Sequence, residues 1–389
     1  MGKIKETIMK YSTGFYVYNM ELFKDSVAIA LVVSCGSMKE SENQRGFSHI
    51  IEHMNLFFDR YSCDRKMKCL GYTDFFYTYY LFVTYGLNVS ECMERINEIV
   101  TGEYISDRIL KSIKMDVLEE YYRKDKECNK EYKCLFNGTE YFDHFAIGNI
   151  DVIKDCKYSD ISEYYKEHYI PENTDIIIMG NKAVIENYVS NDCIVRHTRK
   201  VTLRPKYCIA DFEWVKLGNS GKLRLYFYRH YVERDKSDLM YDSLFLSLLE
   251  KAALNIYGKT DVGKIVFSST EEFIFIEVNN MLIKSISDVK NLLQKIVLMA
   301  DTQFISEFIV KYKKEYLDQI KNGYGINLVE EMKQCISSLE IYGELIGYRE
   351  LNDIMLQGLD GIDVMKISRM IDALINNNES FFLYKIIEL

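Results

Sequence analysis

The chain opens on two apolar runs of β character. Gly14-Phe15-Tyr16-Val17-Tyr18 and Ser26-Val27-Ala28-Ile29-Ala30-Leu31-Val32-Val33 are rich in β-branched and aromatic residues, with a polar turn around Lys24-Asp25 between them. Over residues 46–58 the apolar spacing changes to that of a helix. Phe47, Ile50, Met54 and Phe57 fall on one side, where they can bury against a sheet. The aromatic run 75–85 then returns to strand character and is too short for a membrane helix. Ser106-Asp107 predicts the N-cap of a helix running to about Lys124, with Leu110, Ile113, Val117 and Tyr121 at helical spacing. Ser159 is expected to cap a helix ending at His168, stopped by Pro171, and residues 174–179 form a short apolar strand closed by Gly180-Asn181.

A polar, basic stretch at 196–206 is the best linker, and beyond it the plan begins again. Residues 223–227 and 272–278 read as strands, 238–254 and 285–299 as amphipathic helices, and 381–386 as a closing strand. The expectation is an α+β chain of two halves of similar plan, residues 1–198 and 206–389. A length of 389 residues suits this, because single cores stop growing below that size.

Charge narrows the function classes. The formal net charge is −9 with no extended Lys/Arg block, which argues against a nucleic-acid partner. No apolar run approaches the roughly 18 residues of a membrane span, so a membrane partner is not expected. Ten cysteines occur without any C-x-x-C pair, the pattern of reduced thiols, and the expected setting is cytoplasmic.

The sharpest chemical feature is His49-Ile50-Ile51-Glu52-His53. On a helix, His53 lies about 40° from His49 and Glu52 about 60° to the other side, so all three share one face. Neutral imidazoles at i and i+4 suit Zn²⁺, and a carboxylate beside them can take a proton from water acidified by the metal. This is the H-x-x-E-H order, which arises by chance in roughly one chain per hundred of this composition. A catalytic zinc calls for a third protein ligand. On the helix from Ser106, Glu119 points away from the apolar stripe while Glu120 lies beside Ile113 and Ile109, where a carboxylate is costly to bury without a cation. An ion pair of Glu120 with Lys124 at i+4 is the alternative.

With these residues in view, the chain resembles the pitrilysin/insulinase-type (inverzincin) metallopeptidases, a family that includes the mitochondrial processing peptidases. The resemblance runs through Gly36-Ser37, then Gly46-Phe47-Ser48-His49-Ile50-Ile51-Glu52-His53-Met54, then Val117-Leu118-Glu119-Glu120, and on through the blocks at 142–150 and 164–174. It implies an insulinase-like fold with His49, His53 and Glu120 as Zn²⁺ ligands and Glu52 as general base. It also implies that 75–83 is an edge strand on which an extended peptide lies, so that Phe75, Phe76, Tyr77 and Tyr79 contact substrate. An ordinary core strand is the alternative reading of that run. Tyr257 could match a substrate-binding Tyr of the family, but Glu250 stands where its Arg would fall, and Ile113 where many relatives carry a further Glu.

The expected function is that of a zinc endopeptidase acting on short or unfolded peptides. The resemblance implies a chamber formed with a second subunit, a heterodimer with a homologous chain being expected and a homodimer the alternative. Leader-peptide removal in maturation of a peptide such as a bacteriocin would suit such a chamber. The alternative is a non-catalytic or weakly active peptide-binding subunit that supports an active partner.

Overall fold

The structure is a computed structural model of the chain. It describes residues 14–20, 26–57, 67–85, 89–124, 128–181, 185, 213–218, 222–229, 236–257, 265–266, 273–279, 283–321, 327–376 and 381–388. The linker expected at 196–206 lies outside the described residues, as does the turn at Lys24-Asp25.

In chain order the first elements are β1 (Gly14–Asn19), β2 (Ser26–Val33), α1 (Phe47–Asn55), β3 (Met67–Thr73), β4 (Thr78–Tyr85), α2 (Val89–Thr101), α3 (Asp107–Lys124), α4 (Cys128–Phe136), α5 (Ile150–Asp155), α6 (Tyr158–His168) and β5 (Thr174–Gly180). They are followed by β6 (Glu213–Lys216), β7 (Lys222–Arg229), α7 (Lys236–Tyr257), β8 (Ile265–Val266), β9 (Phe273–Asn279), α8 (Ile286–Met299), α9 (Thr302–Lys321), α10 (Leu328–Tyr342), α11 (Tyr348–Asp360), α12 (Val364–Asn376) and β10 (Phe381–Glu388).

The chain divides into two compact units, residues 1–206 with 326–347, and residues 207–325 with 348–389. Segment 326–347, which falls in the expected C-terminal half, therefore joins the first unit. The physical reason is the first sheet, which has two apolar faces to cover. Along β2, Val27, Ile29, Leu31 and Val33 face one layer and Ala28, Ala30 and Val32 the other, so every residue from Val27 to Val33 is buried. The first layer is filled by α1, α2, α3 and α6. The second is closed by Leu328, Val329, Met332, Cys335, Ile336 and Leu339 of α10.

The first sheet has the order β1-β5-β2-β4-β3, with β1 parallel to β5 and the other pairs antiparallel. The second unit's sheet runs β6-β10-β7-β9-β8, with β6 parallel to β10 and the rest antiparallel. Each sheet thus takes its strands in the order first, fifth, second, fourth, third, which is the repeated plan read from the sequence. The core of the second unit joins Leu223, Leu225 and Phe227 of β7 to Leu244, Phe245, Leu248 and Leu249 of α7 and to Ile367 and Ile371 of α12.

Three expectations change. The run 75–83 is not an edge strand. β4 lies inside the sheet between β2 and β3, and β3 is the edge on that side. Residues 74–77 are a turn, because the Asp74 carboxylate accepts from the backbone N–H of Phe76 at 2.7 Å and of Tyr77 at 3.0 Å, an Asx turn that ends strand pairing. Helix α6 is capped two residues earlier than expected, by Lys157, whose N–H donates to the Asp160 carboxylate at 3.0 Å.

Candidate active site

Helix α1 is short and wholly buried, and its start is built by two features. Gly46 sits at φ 104, in the left-handed region, and a Cβ there would meet the Gly148 backbone at 3.1 Å. The buried Glu40 carboxylate accepts from the N–H of Gly46 and of Ser48, each at 2.7 Å, satisfying amides that the helix itself cannot. Burial nevertheless pushes the Glu40 carboxyl up to about 7. Phe47, Ile50, Ile51 and Met54 anchor the other side of the helix in the core. Its far end is tied by Asn55, whose side-chain N–H donates to the Tyr80 hydroxyl at 2.9 Å, itself 2.6 Å from that of Tyr169.

This scaffold turns His49 and His53 toward α3. Their Nε2 atoms are 3.1 Å apart, and Glu120 Oε2 lies 3.8 Å from His49 Nε2 and 3.4 Å from His53 Nε2. Glu120 is the half-buried carboxylate on the flank of Ile109, Leu110, Ile113 and Val117, while Glu119 is exposed. Ile113 is buried in the core and carries no charge toward the site. Among the described residues, His49, His53 and Glu120 are the group of donors close enough together to hold a metal ion.

The donor set fits zinc. Bonds of about 2.0–2.2 Å to imidazole nitrogen and carboxylate oxygen place tetrahedral ligands about 3.3–3.6 Å apart. The three separations bracket that value. Two nitrogens and one carboxylate leave one position for water or substrate, which is the catalytic rather than the structural pattern. The His49 and His53 rings meet edge to face at 4.5 Å, and His53 Nδ1 is buried with no hydrogen-bond partner among the described residues, so packing holds that ring.

Glu52 is buried on the same helix, 6% exposed, and its Oε2 accepts from the Thr73 hydroxyl at 2.8 Å. It also lies against Gly71, where a Cβ would come within 2.7 Å of Oε1. The two helices thus bring together the three donors read from the sequence, and Glu52 stands one residue before His53 on α1.

The other predicted residues lie elsewhere. Phe75 and Phe76 belong to the turn after β3, where Phe75 packs on Phe136, Tyr141 and Phe145 with centroids 5.5, 5.0 and 6.2 Å away. Tyr79, on β4, faces the α10 layer and packs near Tyr77 and Tyr72. The side chain of Tyr257, the last residue of α7, lies outside the described residues, and Glu250 is exposed on the same helix. Cys35 is buried beside Tyr164 and Ser48, and burial pushes its thiol up to about 11. His144 is structural. Its Nδ1 donates to the Ser37 carbonyl at 2.8 Å and its Nε2 accepts from Arg45 at 2.7 Å.

Glu40, Gly71 and Thr73 carry no motif of their own: Gly71 and Thr73 meet Glu52 from a distant strand, and Glu40 reaches the amides of Gly46 and Ser48 from the loop before the helix. The one local signal is the glycine at 71 inside a strand pattern, which marks close approach of another group.

Residues 16–139 match the family model described as Insulinase (Peptidase family M16). This stretch is an M16 (insulinase) domain. Over 178 residues the chain is 26% identical to a probable zinc protease PqqL of Haemophilus influenzae, covering 41% of this chain and 19% of that protein. Over 286 residues it is 21% identical to a zinc protease PQQL-like protein of Arabidopsis thaliana, covering 64% of this chain and 30% of the relative. The matches thus span less than a third of either curated relative. The solved first half of the periplasmic protease PqqL from Escherichia coli superposes with a TM-score of 0.72 at 16% identity, over 96% of this chain and 89% of that one. The M16 domain holds α1 with its two histidines and α3 with Glu120, and the fold is that of insulinase-like proteases.

Proposed function

We propose that the chain is a zinc endopeptidase with His49, His53 and Glu120 as metal ligands and Glu52 as general base. The observation that carries this reading is the set of donor separations, 3.1, 3.4 and 3.8 Å, with a buried carboxylate one residue from a ligand. A bound zinc would supply Lewis acidity, which acidifies water and polarises a peptide carbonyl. Glu52 takes the proton from the attacking water and returns it to the departing amine. An extended peptide would add to the open edge of the first sheet at β3, since backbone pairing there requires no particular side chain on the substrate.

The natural substrates in this reading are short or unfolded peptides, with leader-peptide removal as one use. A homologous second subunit would complete the chamber, supported by Glu250 standing where the resemblance calls for a substrate-binding Arg. Light scattering with and without a homologous chain tests the pairing, and a stable, active monomer would contradict it. Among the described residues no cysteine is in a disulfide, and no helix is long and apolar enough to cross a membrane. The first point supports a cytoplasmic setting. The E. coli neighbour is a periplasmic protease, and cell fractionation decides between the two compartments.

The direct test compares wild type with Glu52→Gln for zinc content and cleavage of an unstructured peptide library. The variant is expected to keep zinc and lose at least about 100-fold in turnover. A wild type without zinc, or a variant as active as wild type, would overturn the reading.

A further inference from the structure

The edge strand β3 presents two residues to Glu52 at alternate positions, Gly71 and Thr73, and alternate residues of a strand share a face. At Gly71 a Cβ would lie 2.7 Å from Glu52 Oε1, 2.8 Å from Glu52 Cγ and 2.5 Å from Leu56 Cδ1. The carboxylate therefore occupies the space that any other residue at 71 would fill. At Thr73 the hydroxyl donates to Glu52 Oε2 at 2.8 Å.

The neighbouring groups leave the Thr73 proton to Glu52. The Thr78 hydroxyl, 3.3 Å from that of Thr73, spends its own proton on the Cys35 carbonyl at 2.9 Å. Thr73 and Thr78 are both buried, 7% and 0% exposed, so bulk water competes weakly for the bond. A β-branched residue on a strand has a restricted χ1, so this hydroxyl is held in place rather than found by chance. Thr73 also closes the paired stretch opposite Thr78, and the turn that follows is anchored from outside, the Asp74 carbonyl accepting from the Ser37 N–H at 2.9 Å. The strand end is thus a fixed platform.

We propose that Thr73 is a positioning residue for the general base. One oxygen of Glu52 is pinned by the hydroxyl, Gly71 gives the carboxylate room, and together they fix the plane in which the proton is taken. The inference rests on the assignment of Glu52 made above. It extends the site from two helices to the edge strand, so that the strand which receives a peptide also orients the base.

The test uses the full-length protein, its zinc measured, with a fluorogenic unstructured peptide. Thr73→Val keeps the shape and removes the hydroxyl. It should lower kcat about 10- to 100-fold, the usual cost of an outer partner, with KM and zinc content near those of wild type and a Tm lowered only by the lost hydrogen bond. Thr73→Ser restores the hydroxyl and should recover most of the activity. Gly71→Ala keeps the hydroxyl but crowds the carboxylate, and should also lower kcat at unchanged zinc content, which keeps the inference testable should Thr73→Val fold poorly. A wild type that cleaves, an inactive Glu52→Gln and a Thr73→Val with wild-type kcat would overturn this inference alone. A kcat loss that Thr73→Ser does not recover would overturn it as well, marking Thr73 as structural. A wild type that fails to cleave, or a Glu52→Gln that still does, overturns the assignment of Glu52 and this inference with it.

Discussion

Glu40 supplies the most quantitative test of how the metal helix is held. Its carboxylate is buried, 2% exposed, and bridges the first amides of α1 through two bonds of 2.7 Å. Desolvation outweighs those bonds and moves the carboxyl from its ordinary 4.5 to about 7. In the window between those values the folded chain retains a proton that the unfolded chain has released, so stability is greatest below about pH 4.5 and falls as pH rises to about 7. At 1.36 kcal/mol per pH unit, the displacement is worth about 3 kcal/mol. Glu40→Gln cannot titrate. It keeps one acceptor and turns an N–H₂ toward the second amide, at a cost of about 1–3 kcal/mol. The assay is urea unfolding of both proteins at pH 5, 6, 7 and 8 with a chelator present, so that metal and the titration of other groups cancel in the difference. Wild type should lose up to about 3 kcal/mol relative to the variant from pH 5 to pH 8. Parallel stability curves would mean that the carboxyl titrates alike in both states and that burial does not hold its proton.

Two further outcomes follow from the same contacts. Glu120→Gln should weaken zinc binding by more than about 100-fold, beyond the usual cost of an outer partner, as read by competition with a chromophoric chelator; an unchanged affinity would remove α3 from the site. Met332→Ala empties a fully buried position of α10 against the first sheet and should cost about 2–5 kcal/mol in calorimetric unfolding, whereas a cost under about 1 kcal/mol would contradict the placement of 326–347 in that core.

Much of this was readable before folding, where the signal is local. The i, i+3 and i+4 placement of His49, Glu52 and His53 is a property of one helix, and Glu120 separates from Glu119 by the side of a single apolar stripe. The continuous apolar run of β2 reads as a strand buried on both faces. The misreadings share a cause. Phe75, Phe76 and Tyr77 have high strand propensity, yet the Asp74 side chain and the amides near Gly36 bend them into a turn. Meanwhile β3, with Lys68 and Gly71, looks like a poor strand and is the edge. Gly36 shows how distant the cause is, since a Cβ there would lie 2.5 Å from the Asp74 carbonyl and 2.6 Å from the Phe76 nitrogen. Helix α10 lies in the second half of the chain, and nothing local in its sequence says that it covers the first sheet.

In the proposed site, side chains from α1 and α3 close around one zinc ion. Crystals grown with zinc and measured on both sides of its absorption edge test this most directly. A single strong anomalous peak is expected about 2.0–2.2 Å from His49 Nε2, His53 Nε2 and a Glu120 oxygen, lost in a His53→Ala variant. A peak elsewhere, or none among these three side chains, would contradict it.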